Sequence, residues 1–159
     1  MIVCNTSPLI ALSILDKVDL IGKVYGKWVV PDKVMLESTI DGKPFSEKLK
    51  HVLSPHRMGV KNKFIVSSYE IYLDSGEAEV IALAEEVKAD LLLIDDKKGR
   101  RFAELKGFKV VGVAGFILKA KKLGLIAEIK PEFIKMRQAG IRISDSIYRE
   151  SLTLAEEIW

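Results

Sequence analysis

Cysteine is nearly absent from this chain of 159 residues, and a membrane segment is missing altogether. Because Cys4 has no partner, no disulfide can form within the chain, which is typical of a reducing compartment. There is no basic leader, and no apolar run approaches the roughly 20 residues of a membrane span. We therefore expect a cytoplasmic protein without membrane contact. Its 48% of hydrophobic residues predicts one compact domain over residues 1–159.

Several motifs that would identify other classes of protein are also missing. The two histidines, His51 and His56, have the spacing of no common zinc site and are interpreted as loop residues. Residues 5–8 contain no G-x-G-x-x-G, which argues against a dinucleotide-binding protein. A phosphorelay receiver has an early acidic pair and a phosphoacceptor on a later strand. Here the acidic pair comes late, and the strand at residues 109–111 ends in Gly112.

Positive charge is concentrated in three segments, although the formal net charge is only +3. Basic residues cluster in residues 48–63, 97–101 and 119–122. Next to an acidic site, such clusters can hold the phosphates of a polyanion while the acids hold a metal ion. Each cluster taken alone is better explained as a solvated face.

Apolar segments of strand length alternate with segments of helical periodicity along the whole chain. We predict strands at residues 1–4, 28–30, 64–66, 91–94 and 109–111. Ser7 and Pro8 are predicted to start the first helix, residues 41–44 to end the third, and Ser144 to cap the last. This alternation indicates an α/β fold with a parallel sheet and helices on both faces.

The central segment, residues 76–101, shows the pattern most clearly. An apolar stripe beginning at Ala78 predicts a helix that opens on Glu77. Residues 91–94 are uniformly apolar, which is typical of a parallel strand buried on both faces. Asp95 and Asp96 must then emerge at the carboxyl end of that strand, where open α/β sheets bind their ligands. The two aspartates could instead be turn and capping residues.

Polar side chains at the ends of these elements form one candidate site. They are Asn5, Glu37, Glu77, Asp95 and Asp96. Oxygen ligands without histidine or cysteine suit Mg²⁺ or Mn²⁺ better than zinc. A cation held there could activate water and stabilise charge on a phosphodiester. The predicted chemistry is hydrolytic phosphoryl transfer.

Four segments resemble the PIN domain, and within it the branch similar to VapC ribonuclease toxins. The segments are IVCNTSPLIAL, PDKVMLE, GEAEVIALA and LLLIDDKKGRRFAELKGFKVVGVAGFILKAKKLGLI. The resemblance implies a three-layer α/β/α sandwich with a central parallel sheet and a Mg²⁺-dependent endoribonuclease acting on single-stranded RNA. It also implies frequent homodimers and a small antitoxin protein as partner.

The resemblance also assigns roles to individual residues. It implies metal ligation by Glu37, Glu77 and Asp96, support from Asp95, and hydroxyl helpers at Thr6 and Ser7. The neighbouring cations Lys97, Lys98, Arg100 and Arg101 are predicted to attract the RNA backbone. PIN nucleases usually have an aspartate where this chain has Asn5, and an amide oxygen brings no negative charge. The alternative is therefore an impaired PIN-like module that binds nucleic acid or an antitoxin without cutting.

Overall fold

The computed structural model describes residues 1–43 and 45–159, and in these residues four short strands form one parallel sheet. The strands are β1 (Ile2–Cys4), β2 (Trp28–Val29), β3 (Leu91–Leu93) and β4 (Val110–Val111). Their order across the sheet is β2-β1-β3-β4, and every neighbouring pair is parallel. The central strands β1 and β3 are uniformly apolar because helices cover both faces of the sheet.

Helices connect successive strands and form the two outer layers. They are α1 (Thr6–Ile14), α2 (Leu20–Tyr25), α3 (Asp32–Ser38), α4 (Ser46–Leu53), α5 (Lys63–Tyr69), α6 (Ser75–Val87), α7 (Lys97–Leu105), α8 (Val113–Lys122), α9 (Lys130–Gln138) and α10 (Asp145–Leu154). The α/β/α sandwich with a central parallel sheet that the sequence predicts is confirmed. None of the helices in the described ranges has the length and apolar character of a bilayer span.

The order of the strands determines where a site can form. From β1 the chain crosses to β2 on one side, and it later returns to β3 on the other side of β1. A crevice opens at the carboxyl ends of the strands where the winding direction reverses, and ligands of open α/β sheets bind there. In this chain the reversal lies between β1 and β3, whose carboxyl ends lead directly into Asn5 and Asp95.

Some local predictions were wrong. Residues 64–66 lie in helix α5, which the Asn62 side chain caps by accepting a hydrogen bond from the Ile65 amide. Helix α1 starts at Thr6, so Ser7 is its second residue and not its cap. His51 lies in helix α4 and not in a loop. The predicted helix break at residues 41–44 ends on Pro44, which lies outside the described residues.

Candidate active site

The carboxyl ends of β1 and β3 place Asn5 beside the two aspartates. The Asn5 amide donates a hydrogen bond of 2.9 Å to the Leu93 carbonyl, which continues the pairing of β1 with β3 by one residue. Asn5 is the N-cap residue of α1, but its side chain makes no capping hydrogen bond. The Asn5 side chain is nonetheless buried, because only 6% of the residue is exposed. Its position at the crevice is the one that the sequence predicts.

Glu77 is held at the start of α6 by a capping box. The Asp74 carboxylate accepts a hydrogen bond of 2.8 Å from the Glu77 amide, and the Asp74 amide donates one of 3.3 Å to Glu77 Oε2. This reciprocal arrangement satisfies two backbone donors that a helix start leaves free. It also bends the Glu77 side chain back toward the crevice, where the residue is only 6% exposed.

The carboxyl groups of Glu77 and Asp96 lie close enough together for each to shift the pKa of the other. Two neighbouring carboxylates repel each other, so one of them binds a proton more readily. Burial first, and then Asp96 and the charge of Asp74, raise the pKa of Glu77 to about 7. Burial alone would raise the pKa of Asp96 too, but the Gly99 amide, Glu77 and Lys98 lower it below its usual value. Glu77 is therefore the member of the pair that binds a proton more readily, and Asp96 is the member that stays charged.

Asp96 has a structural role as well, because it caps helix α7. Its Oδ2 accepts a hydrogen bond of 2.9 Å from the Gly99 amide. A carboxylate at a helix N-terminus is favoured by the helix dipole and by the free backbone donors. The capping interpretation of Asp96 thus holds, and it does not conflict with ligand binding because the side chain also faces Glu77.

Glu37 approaches the same helix start from α3. Thr6 Oγ1 donates a hydrogen bond of 2.8 Å to Glu37 Oε2. The same oxygen lies against Gly76, where an added β-carbon would come within 2.6 Å of it. Glu37 thus contacts the residue next to Glu77. Among residues 1–43 and 45–159, however, no group of three or more acidic, histidine or cysteine side chains is close enough to share one ion.

Two glycines that the sequence reasoning missed lie beside these carboxyl groups, and Gly76 makes room for one of them. Gly76 leaves space for Glu37, as described above. At Gly99, a β-carbon would lie 3.4 Å from the Glu77 carboxyl carbon and 3.4 Å from a methyl group of Ile94. The position of Gly76 directly before Glu77 at the start of a helix is a weak sequence signal that it lies at the site. The run of cations around Gly99 contains no such signal.

Asp95 and Ser7 belong to the other side of the sheet edge. Asp95 Oδ1 accepts a hydrogen bond of 2.7 Å from the Val113 amide and so caps helix α8. Burial raises the pKa of Asp95, against the lowering effects of the Val113 amide and of Arg100. Asp95 and Ser7 both line a groove of about 750 Å³ between the sheet edge and α10. Thr6 and Asp96 thus lie with the acidic side chains, whereas their sequence neighbours Ser7 and Asp95 line the groove.

The four cations predicted to attract RNA all lie on α7. Lys97, Lys98 and Arg101 are exposed, and Arg100 is half-buried beside Asp95. In the described part of the chain none of them forms a salt bridge. Lys97, Lys98 and Arg101 present their charge to solvent, and Lys98 is close enough to Asp96 to lower its pKa. Arg100 instead lines the groove with Asp95.

The sequence model of a family described as a PIN domain (DUF3368) matches residues 1–157. The chain belongs to the PIN-domain family. Comparisons with curated proteins and with solved structures found no match. PIN domains have a nuclease-type fold, generally use a divalent metal ion and generally bind nucleic acid.

The residues of this PIN domain fit a divalent cation at one pair of ligands. Glu77 and Asp96 supply hard oxygen donors, and the raised pKa of Glu77 beside Asp96 indicates that the protein does not fully balance their negative charge. Glu77 and Asp96 would therefore hold the ion. Ligation by Glu37 stays a prediction, because Glu37 is engaged with Thr6 and does not join them in one cluster.

Proposed function

We propose that this PIN domain is a Mg²⁺- or Mn²⁺-dependent endoribonuclease that hydrolyses single-stranded RNA, as VapC-like toxins do. The observation that supports this most directly is the buried Glu77 carboxyl group paired with Asp96 at the carboxyl edge of the sheet. Two adjacent acids in a crevice are energetically unfavourable unless a proton or a cation lies between them. We also propose that residues 1–159 form one domain.

The proposed roles follow from the positions of the side chains. When bound, a divalent cation stabilises the negative charge that develops on a phosphodiester during its hydrolysis. Glu77 and Asp96 would hold it, with Glu37 behind Gly76 and the Asn5 amide at the end of β1 completing the polar surroundings. Phosphates of the RNA backbone would be bound by Lys97, Lys98 and Arg101. Arg100 would bind a phosphate beside Asp95, whose pKa it lowers.

A second candidate is a PIN-domain module that binds RNA or an antitoxin without cutting. Two observations favour it. Asn5 removes the charge that PIN nucleases usually have at the end of the first strand, and the acids of the described residues form a pair and not a cluster of three. The homodimer and the small antitoxin partner are further proposals. Exposed Ile147, Leu154 and Ile158 near the C-terminus are candidates for such contacts.

Cleavage of a labelled single-stranded RNA by the purified protein tests the proposal. We expect cleavage with Mg²⁺ or Mn²⁺, none with EDTA, and a loss of about 100-fold or more in Glu77→Gln, which removes one cation ligand. Glu128→Gln is the matched control, because Glu128 is exposed and far from the site in the chain. Cleavage that survives Glu77→Gln would exclude the mechanism. Binding without any metal-dependent cleavage would favour the non-catalytic module.

A further inference from the structure

Two aromatic rings, one in the segment before α6 and one on α7, have no role in the site described so far. Tyr72 precedes the Asp74 cap of α6 by two residues and is 61% exposed. Its ring centroid lies 6.3 Å from that of Phe102, with 30° between the ring planes. Tyrosine is enriched at binding interfaces, because its ring is apolar and its hydroxyl group can still meet water.

The position of Phe102 ties this surface to the acidic site. Phe102 lies three residues after Gly99 and four after Lys98 on α7, so the three share one face of the helix. A β-carbon at Gly99 would lie 3.4 Å from the Glu77 carboxyl carbon, so this turn of α7 faces Glu77. Lys98 lowers the pKa of Asp96. Asp96, the exposed Lys98 and Phe102 therefore follow one another along α7, and Glu77 lies beside the turn that contains Gly99.

The inner side of this aromatic surface is fixed by the protein. Phe102 packs edge-on against Tyr69, with 5.2 Å between centroids, and Lys106 Nζ lies 5.8 Å from the Phe102 centroid. The Tyr69 hydroxyl donates a hydrogen bond of 2.7 Å to Glu85. Tyr69 and Lys106 thus fix the position of the Phe102 ring on its protein side, whereas Tyr72 faces solvent.

We propose that Tyr72 and Phe102 form a stacking platform for an unpaired nucleobase of the RNA whose backbone reaches the Glu77 and Asp96 pair. This inference rests on the proposed function, since it deepens the recognition of single-stranded RNA. Positive charge on the same helix complements the RNA backbone, and it is carried by the exposed Lys97, Lys98 and Arg101. Every nucleobase also has flat faces that can stack on an aromatic ring. Stacking requires an unpaired base, so it would select single strands over duplexes.

Binding measured in EDTA tests the platform without cleavage. The two ligands are a single-stranded adenosine decanucleotide and a chain of abasic spacers with the same number of phosphates. We expect Tyr72→Leu to weaken binding of the decanucleotide about 5- to 20-fold and to leave binding of the abasic chain unchanged. Tyr72→Phe keeps the ring and should bind like the unaltered protein. The salt dependence should be the same in all three proteins, whereas Lys98→Gln should reduce its slope by about one.

Ile71→Ala is the matched control, because Ile71 is 76% exposed beside Tyr72 and has no ring. It should bind both ligands as the unaltered protein does. The platform would be overturned if the unaltered protein bound neither ligand, bound both equally, or bound the decanucleotide no better than Tyr72→Leu does. It would also be overturned if Ile71→Ala and Tyr72→Leu both broke a dimer in sedimentation and left RNA binding unchanged, because a second copy would then cover this face.

The outcomes separate the platform from the nuclease proposal. Ring-dependent RNA binding without metal-dependent cleavage supports the platform and removes the endoribonuclease. If the unaltered protein cleaves RNA with a metal ion and Tyr72→Leu binds RNA normally, the endoribonuclease is supported and the platform is removed.

Discussion

The Glu37 carboxylate lies directly over Gly76, in the space that any other side chain at position 76 would occupy. A β-carbon there would come within 2.6 Å of Glu37 Oε2 and 3.0 Å of Oε1. The hydrogen bond from Thr6 holds the carboxylate in this place. The start of α6 is therefore the point where α1, α3 and α6 meet, and the glycine next to Glu77 makes that meeting possible.

Gly76→Ala should impair activity more than stability. Alanine favours a helix over glycine by about 1 kcal/mol, which offsets the displacement of the flexible Glu37 side chain. The unfolding free energy from urea titration should therefore change by less than about 1 kcal/mol. Metal-dependent cleavage should fall about 10- to 100-fold, because a misplaced polar group at a catalytic site costs that much.

Gly99→Ala is the matched control for that substitution. Its β-carbon would make ordinary contacts of 3.4 Å with Glu77 and Ile94, so it should keep most of its activity. Equal activity in Gly76→Ala and the unaltered protein would show that the position of Glu37 does not matter for cleavage.

The stability of the protein should decrease as the pH rises toward neutrality. The pKa of Glu77 is raised from 4.5 to about 7 in the folded protein, so between these values the folded state binds more protons than the unfolded state. Without divalent cations, the unfolding free energy should fall by about 2 kcal/mol from pH 5 to pH 8 through this group. Glu77→Gln should remove most of the decrease, whereas Glu128→Gln should not. A parallel pH profile in Glu77→Gln would contradict the assignment.

Divalent cations should stabilise the protein through the acidic pair. A cation at ten times its Kd should raise the Tm by about 3–5 °C, measured in EDTA-treated protein at pH 8. Asp96→Asn should lose most of this shift but still fold, because asparagine also caps a helix well. If Asp96→Asn showed the full shift, the cation would bind elsewhere.

Asn5→Asp should strengthen cation binding at the expense of stability without a cation. Position 5 is buried at the end of β1, and a further carboxylate there would lack a partner. In EDTA we expect a loss of about 1–3 kcal/mol in unfolding free energy. With Mn²⁺ the variant should bind the ion more tightly and cleave RNA faster than the unaltered protein.

Asn62→Asp makes the same change of charge at an exposed helix cap and is the control for that substitution. An equal gain in Mn²⁺ affinity in both variants would point to net charge and not to position 5.

Much of the fold could be predicted because its signals are local. The uniformly apolar residues 91–94 indicated a buried parallel strand, and β3 (Leu91–Leu93) occupies that place. The periodic apolar positions after Glu77 indicated helix α6. Residues 64–66 were wrongly predicted as a strand, because three apolar residues have no period that distinguishes strand from helix. The Asn62 cap and packing of α5 on α6 decide the helix there.

The sequence by itself determined the alternation of strands and helices, the carboxyl edge at which Asn5, Asp95 and Asp96 emerge, and the run of cations that follows them. These features depend on hydrophobic periodicity and chain order alone. Only the tertiary structure decided which side chains meet: Asp96 faces Glu77 while Asp95 faces the groove, and Glu37 rests on Gly76. The physical reason is that adjacent residues at a strand end point to opposite sides. Which side receives a given partner depends on how distant helices pack, and no local pattern records that packing.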